Sequence, residues 1–196
     1  TLKGTPVYTF AELYAAFLGR APLNYIDPDL LGRNASSSIY KGVKRAVELS
    51  IATVFLVPAT VIGLITAISI ILDSKGPVFF IQERVGQNGK PFKLIKFRTM
   101  HNNSESNGPQ FAEENDSRVT RVGKFLRKTR LDELPQLINV IRGDMSFVGP
   151  RPEQIPFARQ FEEKIPYYSL RYSLKPGLTG WALINRGYTS GLDDTR

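Results

Sequence analysis

The sequence predicts an α+β protein: a long apolar helix that enters a membrane and returns, joined to a small domain with a β-hairpin and amphipathic interfacial helices. Three observations lead there. Leu49 to Leu72 runs twenty-four residues without a charge, the length a bilayer asks of a helix. Lys41, Lys44 and Arg45 precede that run and Lys75 and Arg84 follow it, whereas a simple span collects its Lys/Arg excess on one side. Beyond the run, apolar residues recur first with the period of strands and then with that of helices.

Residues 1–40 read as an upstream segment and linker. Thr9-Phe10-Ala11-Glu12 is a capping box for a short amphipathic helix that Gly19 stops. Pro22, Pro28, Gly32 and Asn34 to Ser38 then have the composition of a linker. The chain opens on Thr1 without a signal-peptide pattern, and is expected to be part of something longer.

Residues 41–75 form the membrane helix. Pro58 lies in the first half of the run, removes one helical hydrogen bond and crowds the preceding turn, so the helix is expected to break there and come back to the face it entered from. Ser50, Thr53 and Thr60 stand close enough to satisfy the freed carbonyls. A straight span is the alternative. Asp73 to Pro77 ends the helix.

Residues 76–196 form the globular part. Val78 to Ile81 is rich in β-formers, Gly86 to Gly89 provides a turn, and Phe92 to Thr99 returns, with Phe92, Leu94, Lys96 and Arg98 on one face. His101 to Asp116 is polar, contains Gly108-Pro109, and reads as a mobile loop. Apolar residues at 131, 134, 137, 138 and 141 have helical spacing. Pro135 is tolerable only in a first turn, so that helix begins near Asp132, and Gly143 ends it. Phe147 to Pro152 reads as a rigid turn, Glu153 to Lys164 as a helix, and Lys175 to Trp181 as a tight loop.

A formal charge of +8 predicts an anionic partner, and with a membrane segment present the two obvious ones are lipid head groups and a phosphorylated substrate. The absence of Cys excludes thiolate chemistry and zinc–thiolate sites, and His101 alone argues against a histidine dyad or a multi-histidine metal site. The glycines make no nucleotide-binding pattern. Nucleic acid would suit a basic chain with 11% aromatics, but a soluble binder would not expose the 49–72 run.

Asp132-Glu133 is the leading candidate for chemistry. Adjacent helical side chains diverge by about 100°, so the two carboxylates divide roles rather than share a proton. Backbone N–H groups at a helix start favour anions, lower a carboxylate's pKa and can hold a phosphate; an Asp there also serves as a simple cap. Arg118, Arg121, Lys124, Arg127, Lys128 and Arg130 crowd the preceding segment. Lys124, Arg127 and Lys128 read as a solvated or lipid-facing strip, whereas Arg130 can reach a phosphate beside Asp132. Lys96 and Arg98 either end a strand in solvent or pinch a diphosphate, and Arg151, between two prolines, is either a structural turn or a preorganised clamp.

Five stretches together resemble the bacterial sugar transferase family, the monotopic polyprenyl-phosphate phosphoglycosyl transferases. They are Gly76 to Gly86, Lys96 to Met100, Thr129 to Gln136, Gly143 to Pro152 and Lys175 to Trp181, in the family's order between about Tyr40 and Tyr188. The resemblance implies a re-entrant helix with both ends cytoplasmic, at the bacterial inner membrane. It implies transfer of a sugar-1-phosphate from a nucleotide sugar, commonly UDP-glucose or UDP-galactose, to polyprenyl (undecaprenyl) phosphate. That is the first membrane step of exopolysaccharide, capsule or O-antigen synthesis. Carried over, Asp132 is the nucleophile that forms an aspartyl-phosphosugar, with Glu133 beside it. Mg²⁺ is expected to assist at that pair, and the residues' own chemistry suits Lys96, Arg98, Arg130 and Arg151 to bind the phosphates. Residues 1–40 match the linker before the catalytic part of larger members, and self-association is an open expectation. The sequence departs from relatives at Val57-Pro58, where Ser-Pro is usual, and the family's pattern continues past Arg196. The rival reading is a non-enzymatic membrane-anchored scaffold that binds anionic lipid.

Overall fold

The computed structural model describes residues 38–102 and 116–186. The expected short helix after Thr9, the linker to residue 37 and most of the 101–116 loop lie outside them. The chain divides into two compact units, Thr1–Val43 and Lys44–Arg196. Of the first, only Ser38–Val43, the opening of the long helix, is described.

Helix α1 (Ser38–Asp73) has 36 residues and contains Pro58. The expected break is replaced by a helix that runs through the proline. The hydroxyls also do something other than expected: Ser50 donates to the Ala46 carbonyl at 2.9 Å, Thr53 to Leu49 at 2.8 Å and Thr60 to Leu56 at 2.8 Å. Pro58 deprives the carbonyl four residues back, that of Val54, so these are ordinary back-bonds that bend a helix slightly.

Packing on α1 is confined to its ends. Glu48, Ala52, Thr66 and Ile70 are buried, and no residue from 53 to 65 is. Val54 and Val57, near the proline, are 71% and 72% exposed. Ala52 packs with Leu94, Val140 and Met145, whereas Ile70 packs with Phe97 and Leu126. Polar contacts repeat this pattern. Lys44 Nζ donates to Ser146 Oγ at 2.8 Å, and the Arg45 guanidinium to the Val140 and Ile141 carbonyls at 2.6 and 2.9 Å. At the other end Asp73 Oδ2 accepts from the Val122 amide at 3.1 Å. Both ends of the apolar helix are thus tied to one domain.

The hairpin forms as expected, from β1 (Phe79–Val85) and β2 (Pro91–Phe97) around a 3₁₀ turn at Gln87–Gly89. Its antiparallel register pairs Phe80 with Lys96, Gln82 with Leu94 and Arg84 with Phe92, which sets those six side chains on one face. Phe79 stacks on its cross-strand partner Phe97 with centroids 5.4 Å apart.

Helix α2 (Arg121–Thr129) is capped by Thr120, whose Oγ1 accepts from the Gly123 amide at 2.9 Å. The chain then reverses at Arg130, which adopts φ 61° and ψ 14°. A non-glycine residue in this left-handed region costs about 1–2 kcal/mol. Instead of one helix from Asp132, a 3₁₀ turn at Leu131–Glu133 precedes α3 (Gln136–Arg142). Pro135 has no N–H to give to Leu131, and the Leu134 amide bonds that carbonyl at 3.2 Å instead. Gly143 ends α3 as expected.

Asn139, fully buried, ties α3 to the edge of β2. Its Oδ1 accepts from the Ile95 amide at 3.1 Å and its Nδ2 donates to the Lys93 carbonyl at 2.8 Å.

The expected turn at 147–152 and loop at 175–181 hold two short parallel strands, β3 (Ser146–Val148) and β4 (Gly177–Thr179). Glycine decides this pairing. A Cβ on Gly149 would lie 2.2 Å from the Lys175 carbonyl oxygen, so only a residue without a side chain lets the two segments meet. Helix α4 (Ile155–Lys164), a 3₁₀ stretch (Tyr168–Ser173) and α5 (Trp181–Arg186) complete the described chain.

Candidate active site

Lys96 projects from β2 next to the Leu131–Glu133 turn, with its Nζ 5.0 Å from the centre of the Phe80 ring. Burial, followed by the charges of Arg84 and Arg127, brings its pKa down to about 8, while Asp132 pulls it back up. Lys96 therefore sits between a carboxylate and two guanidiniums.

Asp132 is 9% exposed and its Oδ1 has no hydrogen-bond partner among the described residues. It is not a cap: Arg130 holds the N-cap position of its turn, and no side chain bonds there. Burial pushes its carboxyl above the ordinary range, against the opposing charges of Lys96, Arg127 and Arg130. The helix start was expected to lower that pKa. The correction has a physical cause, because α3 begins only at Gln136 and is short, so side-chain cations rather than a helix dipole face the carboxylate.

Glu133 lies beside Arg151, with 3.9 Å between Oε1 and Nη1. Burial raises its pKa as well, opposed by Arg151 and reinforced by the charge on Asp132. Arg130 is exposed, yet its charge is felt by both carboxylates.

Lys96, Arg130, Asp132, Glu133 and Arg151 thus come together, and Arg98 does not join them. Although it continues the face of Lys96, its guanidinium is buried against the end of α1. It donates to the Ser74 carbonyl at 2.6 Å, to Ser74 Oγ at 3.0 Å and to the Lys75 carbonyl at 3.3 Å. Carbonyls at a helix C-terminus lack partners and attract a cation, which explains the choice. Gly76, at φ +130°, makes room: a Cβ there would lie 2.1 Å from Arg98 Nη1.

Two further arginines belong to the site. Arg127 was expected on the solvated strip with Lys124 and Lys128, which are indeed exposed. It turns inward instead, donates to Thr99 Oγ1 at 2.9 Å and interacts with Asp132. Its spacing of four from the buried Gly123 places it on the inner face of α2, a signal present in the sequence. Arg84 shares the Lys96 face through the hairpin register, and alternation on β1 would have revealed it. Arg118, by contrast, is held by Asp116 at 2.6 Å.

The arrangement places one buried, unpartnered carboxylate oxygen in the field of several cations. That is a cradle for an anion carrying more than one charge. Among the described residues no group of three or more His, Cys, Asp or Glu could hold a metal ion. Asp132 and Glu133 are the two carboxylates at this site, and Mg²⁺ is usually bound by one or two carboxylates together with substrate phosphates.

Comparison with known proteins points the same way. The family described as bacterial sugar transferase matches residues 39–195. A UDP-N-acetylgalactosamine-undecaprenyl-phosphate N-acetylgalactosaminephosphotransferase of Aeromonas hydrophila is 44% identical over 195 residues, covering 100% of this chain and 46% of that protein. A UDP-glucose:undecaprenyl-phosphate glucose-1-phosphate transferase of Escherichia coli is 45% identical over 159 residues, 80% of this chain and 34% of that one. A protein of the same description from Caulobacter vibrioides is 43% identical over 150 residues, 76% of this chain and 56% of the other. The matched chain therefore spans between about a third and just over half of these relatives.

Proposed function

The chain belongs to the bacterial sugar transferase family, and from that premise we propose that it moves a sugar-1-phosphate from a UDP-sugar to undecaprenyl phosphate through a covalent aspartyl intermediate. One observation carries the covalent route: the buried Oδ1 of Asp132 has no partner, yet Lys96, Arg127 and Arg130 attract an anion to its side.

Lys96, Arg130 and Arg151 bind the diphosphate and draw negative charge from it. Asp132 attacks the phosphorus bearing the sugar, the bond to the nucleotide phosphate breaks, and UMP leaves. The lipid phosphate then attacks the aspartyl phosphosugar, forms the lipid-linked diphosphate and frees the carboxylate. Splitting the transfer in two is the usual benefit of a covalent intermediate. Mg²⁺, when held by Asp132 and Glu133, would neutralise charge on the phosphoryl oxygens. Relatives named for glucose and for N-acetylgalactosamine both match, so the sugar is to be found by trial of UDP-glucose, UDP-galactose and UDP-N-acetylgalactosamine.

The attachment of both α1 ends to one domain supports entry and return at a single membrane face. A spanning helix places its ends on opposite sides of roughly 30 Å of hydrocarbon, where a domain bound to both could not stay in water. With basic residues on each flank, that face is cytoplasmic. This sets the site at the level of the lipid's phosphate, and the scaffold reading gives no role to the buried Asp132. The test is incubation of detergent-solubilised full-length protein with labelled UDP-sugar, before and after adding undecaprenyl phosphate. UMP release and a sugar phosphate on Asp132 without lipid are expected. Release only after lipid is added, with no adduct, would reassign Asp132 as base or metal ligand.

A further inference from the structure

Arg151 lies between Pro150 and Pro152, neither of which has an N–H, so this turn can be fixed from outside chiefly through its carbonyls. Successive carbonyls are all taken, by different parts of the chain. That of Pro150 accepts from the Gly177 amide at 2.9 Å, and that of Glu153 from the Val85 amide at 3.0 Å. The two between are held by arginines: Arg171 Nη2 donates to the Arg151 carbonyl at 2.9 Å, and Arg84 Nη1 to the Pro152 carbonyl at 3.1 Å.

We propose that Arg84 and Arg171 are positioning residues that clamp the Pro150–Pro152 turn from both sides and thereby aim Arg151 at Glu133 and the substrate diphosphate. This rests on the function proposed above for the same site. The geometry is redundant in the way a clamp requires. Arg171 also donates to the Tyr168 hydroxyl, lies over that ring at 4.7 Å and pairs with Glu153 at 3.9 Å. Arg84 is 8% exposed and its Nη2 bonds Gln82 Oε1 at 2.6 Å. A buried guanidinium needs partners for its donors, and one that Arg84 finds is the Pro152 carbonyl of the turn. Prolines limit the dihedrals of the turn and the Gly177 and Val85 amides hold its flanks, while the arginines fix the two carbonyls at and after Arg151.

The test uses full-length protein in nanodiscs. Arg171→Lys keeps a cation near Glu153, but an ammonium cannot reproduce the planar fork that reaches both Arg151 and Tyr168. Its kcat/KM for UDP-sugar should fall about 10- to 100-fold. In an Arg151→Met background the same change should cost about twofold or less, since the clamp then has nothing to aim. Independently of any substrate, ¹⁵N relaxation should show the Arg151 Nε–H becoming mobile in Arg171→Lys. Equal losses in both backgrounds, or an Arg151 side chain as ordered as before, would overturn the proposal. If the parent protein turns over no sugar nucleotide, the functional reading fails while relaxation still decides the clamp. Should Arg171→Lys not fold, Arg84→Lys goes through the same cycle and the same relaxation measurement.

Discussion

Replacing Asp132 by Asn should separate chemistry from stability in opposite directions. The carboxyl is buried, and burial outweighs the attraction of Lys96, Arg127 and Arg130, so ionising it opposes folding. Asn removes that opposition, so the variant should melt above the parent, each kcal/mol gained raising Tm by about 2–4 °C in a domain of this size. The pH dependence has a definite sign. Below 3.8, the ordinary value, the acid is protonated both folded and unfolded and contributes nothing. As pH rises through the higher folded value, parent stability is lost, whereas the Asn variant has no such group. The Tm difference should therefore be absent in acid and complete at neutral pH. Turnover, in contrast, should drop by roughly a thousandfold or more, with no adduct on the protein. Scanning calorimetry at several pH values and mass spectrometry after exposure to UDP-sugar measure the two halves. A variant several degrees less stable than the parent would show Asp132 to be a structural anchor, and undiminished UMP release would end its assignment as nucleophile.

Other outcomes follow from single contacts. Because Lys96 titrates near 8, kcat/KM should decline as pH rises through that value, and Lys96→Met should be slow at every pH and lose that limb; a profile unchanged in Lys96→Met would assign it to another group. Arg98→Met removes charged donors from the end of α1 and should lower stability by about 1.5–3 kcal/mol while turnover per folded molecule changes little, with denaturant unfolding set against activity as the measurement. Cysteines placed at Lys41 and Lys75 should react with an impermeant label from the same side of sealed vesicles, and labelling from opposite sides would establish a span. In the same assay Pro58→Ala should shift molecules toward spanning, since alanine restores the hydrogen bond that proline denies the Val54 carbonyl and so favours a straight helix.

Local pattern in the sequence already determines a good deal of this protein. The uncharged run predicts α1, alternation predicts the hairpin, and helical spacing predicts α3 though not its start, because burial of one face leaves a period that needs no partner to be read. The motifs that carry the family resemblance also lie within short stretches. What the sequence could not decide is where long side chains end and what surrounds them. Arg98 reaches a carbonyl 24 residues away instead of joining Lys96, Arg127 leaves an apparent surface strip for the interior, and Arg171 grips a backbone atom 20 residues away. Ser146–Val148 and Gly177–Thr179 are too short to show a period, and they become strands only because glycines let them approach. The same is true of Asp132, whose helix-start position argues for a lowered pKa while its tertiary burial raises it. Burial and charge proximity depend on distances through space, and those exist only once segments remote in the chain have packed together.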